Sequence, residues 1–109
     1  MAAGAADGAV AASSVQGLAR QARAMSPALL AGTGDPHAEW LTMVWGPRFD
    51  REHALVLWTQ LLRRQPVAAA PLLAGLMQVA DAFDTLGRPV QQRLRRLILR
   101  HRALGVDVP

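Results

Sequence analysis

The chain has 109 residues, enough for one domain and not two. It contains no cysteine, which excludes disulfides and thiolate metal sites. Its formal charge is +4, and all 12 basic residues are arginine.

Lysine, asparagine and tyrosine are absent, and Ile98 is the one isoleucine. Those residues have AT-rich codons, so a GC-rich, bacterial genome accounts for the choice of arginine over lysine without any functional demand. No apolar run reaches the length of about 18 residues that a bilayer requires. The N-terminus lacks the charged start and unbroken apolar stretch of a secretory signal. Residues 13–25 have the Ala/Ser/Arg character of an organellar transit peptide, but Asp7 and the lack of earlier arginines weigh against one. The cytoplasm is the expected compartment.

In chain order, residues 1–13 are nearly all Ala, Gly and Ser. With little apolar surface to offset the entropy of ordering, they read as disordered. Val15, Leu18, Ala22 and Met25 recur at steps of three and four, a short helical pattern weakened by Gly17. Ser26-Pro27 reads as a helix start, and Gly32-Thr33-Gly34 as a stop. Residues 1–34 are therefore expected to be a flexible Ala/Gly/Ser-rich segment carrying a short helix, and residues 35–109 a helical bundle domain.

Asp35-Pro36 opens the next helix, with Asp35 as N-cap. It runs to about Trp45 with Trp40, Leu41 and Val44 on its face. Asp50 caps a helix over 51–64 whose stripe is Leu55, Trp58, Leu61 and Leu62. Glu52 at its start and Arg63-Arg64 at its end suit the helix dipole. Pro71 opens a helix to about Leu86, with Leu73, Leu76, Ala80 and Phe83 facing inward. The short link Gly87-Arg88-Pro89 implies that the last helix turns back antiparallel. That helix runs to about Leu104, with Val90, Leu94, Leu97 and His101 on its seam and Gly105 as its C-cap. No segment alternates as a strand would. The expected fold is all-α, a small antiparallel bundle of three to four helices behind a flexible N-terminal segment.

The last helix carries Arg93, Arg95, Arg96, Arg100 and Arg102 with no acid among them. At about 100° per residue, Arg93, Arg96 and Arg100 share one flank, and Arg95 and Arg102 the other. Arginine forks suit phosphate, so Arg93, Arg96 and Arg100 are candidate nucleic-acid contacts. A solvated face whose stems cover the core edge is the favoured reading of the same residues, because the charge is split between two flanks where a groove-binding helix concentrates it on one. Asp84 projects close to an apolar stripe and needs a partner. An ion pair with Arg93 of the following helix, or with Arg88, would provide one.

His37, His53 and His101 have no metal-ligand spacing, and His101 reads as a residue at the edge of the core. Trp40, Trp45 and Trp58 are all of the tryptophan in the chain. They are candidate partner-binding residues because tryptophan anchors interfaces out of proportion to its frequency, and Trp45 is offset from the apolar stripe. No catalytic constellation, cofactor motif or phosphate loop is present in the sequence, so no catalytic, cofactor-binding or metal residue is assigned.

The stretch 72–86, LLAGLMQVADAFDTL, resembles short helices of nucleotide-exchange factors of the DnaK chaperone, and Leu104-Gly105-Val106 resembles a turn of the same family. The likeness covers under a third of the chain and carries no function with it.

The functional expectation is a non-enzymatic protein–protein interaction module: an adaptor, small chaperone or accessory subunit of a bacterial assembly. Its partner is another protein or a second copy, with no membrane span and no metal. The alternative is a nucleic-acid-binding or regulatory protein using the arginine-rich last helix.

Overall fold

The computed structural model describes the backbone of residues 2–107 and the side chains of residues 15–101. Among these residues every regular element is helical: α1 (Ala2–Leu29), α2 (Pro36–Met43), α3 (Arg51–Arg64), the single turn α4 (Pro66–Ala69), α5 (Leu72–Asp84) and α6 (Arg88–Asp107). The all-α reading stands in this form.

The cap signals act where the sequence places them. Asp35 accepts a bond from the Ala38 N–H at 3.1 Å, and Asp50 from the His53 N–H at 3.0 Å. Each satisfies one of the donors that a helix start leaves without an intrahelical partner.

α1 departs from the sequence reading. It begins at Ala2 and takes in residues expected to be disordered. Alanine is the strongest helix former, and here it outweighs the scarcity of apolar side chains. Ser26-Pro27 does not start a helix, because α1 continues through Pro27 to Leu29. Ser26 serves the helix it lies in, its hydroxyl donating to the Ala22 carbonyl at 2.8 Å.

Leu18, Met25, Leu29 and Leu30 are buried in the same core as the residues after position 35. The expected boundary at 34/35 therefore falls inside one continuous core. α1 packs chiefly on α5, where Gln21 Nε2 donates to Gln78 Oε1 at 2.8 Å.

The core is built on α5, whose Leu76, Val79, Ala80 and Phe83 are fully buried. Leu29, Met43, Val44 and Leu94 close around them. Phe49, in the α2–α3 loop, meets Phe83 edge-on with ring centroids 6.2 Å apart.

On α3 the buried residues are Ala54, Leu57 and Leu61: Leu61 is on the expected stripe, and the other two lie one residue round from Leu55 and Trp58. Leu55 lies 40% exposed, and Trp58 and Leu62 are half-buried. The small side chain of Ala54 faces the core and admits close neighbours, while the larger Leu55 turns outward.

α6 also differs. It does not lie back along α5 as an antiparallel hairpin would, but packs chiefly on α2 and also touches α1. It passes through Gly105 to Asp107, and no glycine among the described residues has positive φ, so the expected left-handed C-cap is not formed.

Pro66–Asp84 is the one segment among the described residues long and apolar enough to cross a membrane by length and composition. The sequence reading passes over it because Pro71, Gln78 and the two aspartates interrupt the run, although its average remains apolar. In the fold, its second half supplies the centre of the core.

Candidate functional site

Three polar arrangements fix the positions of α2, α3 and α6, and an apolar cleft is left between the helices.

The first arrangement is an ion-pair cluster. Arg51, in the first turn of α3, reaches Asp84 Oδ2 at 2.6 Å through Nη1 and Asp81 Oδ1 at 2.7 Å through Nη2. Asp84 Oδ1 also accepts the Phe49 N–H at 2.7 Å. Asp84 is therefore paired, as its position by the apolar stripe requires, but with Arg51 and not with Arg93 or Arg88. The expected pair assumed an α5–α6 hairpin. Because α6 leaves α5 for α2, Arg93 stands exposed on the surface.

Burial alone would push the Asp84 carboxyl up. The Phe49 N–H, the bond and charge of Arg51 and the charge of Arg48 outweigh it and hold the group below the ordinary aspartate range. Arg51 is raised in turn, first by its bond to Asp84 and then by its bond to Asp81, against the smaller effect of its own desolvation.

The second arrangement is a clamp on the loop after α2. Arg95 donates from Nε to the Val44 carbonyl at 2.7 Å and from Nη2 to the Gly46 carbonyl at 2.9 Å. Gln91, one turn earlier and buried, donates from Nε2 to the Pro47 carbonyl at 2.9 Å. Trp45 sits within this clamped loop and is 66% exposed. The third arrangement is a contact between His53 Nε2 and Glu39 Oε2 at 2.5 Å, which ties α3 to α2.

The cleft lies between α1, α2 and α6, with a cavity of about 200 Å³. Its floor reaches the core at Val44, Val79 and Leu94, each no more than 2% exposed. Leu18 and Ala22 of α1 form one wall, and Leu97 and Ile98 of α6 the other. Trp40 closes the end, its indole N–H held by the Ser26 hydroxyl at 2.8 Å. The ionisable groups lining the cleft are Arg23, His37 and His101, all basic. A shallower extension runs along α1 and α6 past Gln16, Ala19 and Arg20.

No protein-family model, curated protein or solved structure matches this chain.

The fold separates the three tryptophans. Trp40 is buried with an edge on the cleft, Trp45 stands on the surface, and Trp58 is half-buried with its indole N–H on the Ala69 carbonyl at 2.8 Å. They do not form one aromatic patch.

The arginines of α6 separate as well. Arg93, Arg96 and Arg100 are exposed, and no carboxylate pairs with them among the described residues. The side chain of Arg102 lies outside the described residues. His101, expected at the core edge, is exposed on the rim of the cleft, because α6 has pulled away from α5 there.

Among the described residues no group of three or more His, Asp or Glu side chains is placed to hold a metal ion. The sequence reading missed the cleft. The available signal was the basic residues Arg20, Arg23 and His101, which border apolar stripes on two helices far apart in the chain.

Proposed function

We propose that this chain is a non-enzymatic protein–protein interaction module, an adaptor, small chaperone or accessory subunit of a bacterial assembly, and that it takes its partner in the α1–α2–α6 cleft. The observation that carries this reading is an apolar cleft open to solvent whose floor is the hydrophobic core itself. A soluble chain keeps such a surface uncovered at a cost, and concave apolar sites are where binding concentrates. The volume supports an anchoring role. A dry apolar cavity of about 150 Å³ accepts a benzene molecule, so this cleft has room for one large side chain of a partner, as interface anchors use. Trp40 is a partner-binding residue through its cleft edge. Trp45, exposed on the α2–α3 loop outside the cleft, is a candidate for a second contact, and Trp58 serves the α3–α4 packing.

One observation favours a second reading. Arg93, Arg96 and Arg100 form an exposed cationic flank without acidic partners among the described residues, as a phosphate-contacting helix would.

Light scattering after size exclusion separates the two. The module reading predicts a complex with a host protein, or a homodimer, that survives high salt and is lost in Ala19→Phe, which fills the cleft mouth. A monomer that shifts only with nucleic acid at low salt, and that Ala19→Phe leaves unchanged, contradicts the module and favours the arginine flank.

A further inference from the structure

The chemistry of the cleft specifies its occupant more narrowly than an apolar surface alone would. At about 100° per residue, Arg93, Arg96 and Arg100 lie on the Leu97 side of α6. That side faces α1, because Leu97 shares the shallow extension with Gln16, Ala19, Arg20 and Arg23. Arg95 is on the opposite flank, occupied with the α2–α3 loop. The opening between α1 and α6 is thus apolar at its floor, with Arg20 and Arg23 on the α1 bank and His101 on the α6 bank. Arg100, exposed and next to His101 in sequence, projects to the same side of α6, and no acidic side chain among the described residues lines either part of the cleft.

From this charge pattern we infer that the occupant is an acidic amphipathic helix of a partner protein, one large apolar side chain seated on the Val44–Leu94 floor and carboxylates facing Arg20, Arg23 and Arg100. The inference rests on the module reading and adds the chemical class of the partner. A helix in a groove is read through apolar anchors on one face, which suits a cleft running along two helices. Rim charges then select the partner and steer its approach. A second copy of this chain fits less well, since its net charge of +4 would bring like charges together at the rim. A duplex nucleic acid would satisfy the arginines but leave the apolar floor uncovered.

The test uses fluorescence anisotropy with the full-length chain and a labelled helical peptide of about four turns. One version carries leucines on one face and glutamates on the other; a second replaces every glutamate with lysine. The expected result is that the glutamate peptide binds and the lysine peptide binds at least roughly tenfold more weakly. In Arg20→Glu/Arg23→Glu that order reverses, and Ala19→Phe weakens both peptides. These positions are exposed or half-buried on α1, and circular dichroism checks that each variant keeps its helices.

Equal binding of the two peptides overturns the acidic-partner inference, as does a preference that the charge reversal leaves unchanged. A homodimer that Ala19→Phe dissociates overturns it too while leaving the module reading intact. A short DNA duplex that binds more tightly than either peptide and is indifferent to Ala19→Phe overturns both.

Discussion

Asp84 and Arg95 show how little of a residue's role is set by its type. Both are charged residues next to apolar ones, and each is held by contacts far away in sequence. Asp84 accepts the Phe49 N–H and the Arg51 guanidinium. Replacing it with Asn removes the charge that both donors face and is expected to cost about 1–3 kcal/mol, read by urea denaturation. Asp81→Asn should change stability by less than about 1 kcal/mol, because that carboxylate is 75% exposed. The folded-state pKa of Asp84 is depressed, so its contribution is present above the ordinary aspartate pKa of about 4 and is lost as pH falls through the lower folded value. Stability should fall on acidification through that window, and less steeply in Asp84→Asn. Arg95→Met leaves the Val44 and Gly46 carbonyls without their donor and should cost about 1–3 kcal/mol. Arg93→Met, on the exposed flank, should stay within about 0.5 kcal/mol.

At the scale of elements, local signals were legible and orientation was not. The Asp35 and Asp50 caps were readable because capping involves only the next few residues. The face of α3 was legible only in part: Leu61 was read as buried and is, but the rest of the stripe falls on Ala54 and Leu57, the neighbours of Leu55 and Trp58 at the same spacing. What chooses between them is the shape of the helices packed outside α3, which periodicity does not contain. At the α1–α5 crossing, Gly75 needs neither positive φ nor open space. A Cβ there would sit 3.6 Å from Met25 Sδ and 3.7 Å from Gln21 Nε2, ordinary van der Waals contacts. Gly75→Ala should therefore stabilise the chain by about 0.5–1 kcal/mol through helix propensity, raising the thermal midpoint. A loss of stability would show that the crossing is tighter than these distances indicate.

For the molecule as a whole, the boundary at 34/35 had a compositional basis, but composition changes where the core does not. Leu18, Met25, Leu29 and Leu30 belong to the same buried cluster as Leu76 and Phe83. A fragment of residues 35–109 would expose the faces these side chains cover, and a chain this small has little stability to lose. It is expected to show no cooperative thermal transition, whereas the full chain shows one. The cleft was illegible for the same reason: it exists where α1 meets α6, an encounter that no short-range pattern predicts. Its ingredients were visible separately, as an apolar stripe and flanking arginines on each helix.

Docking in the α1–α2–α6 cleft can be read from the three tryptophan indole N–H signals in a proton–nitrogen correlation spectrum. Trp40 reports on the cleft end, Trp45 on the outer loop and Trp58 on the α3–α4 side. When the glutamate-faced helical peptide is added, the Trp40 signal should shift most and the Trp58 signal should stay in place. A spectrum in which Trp40 is unmoved while the peptide is bound would contradict docking in the cleft.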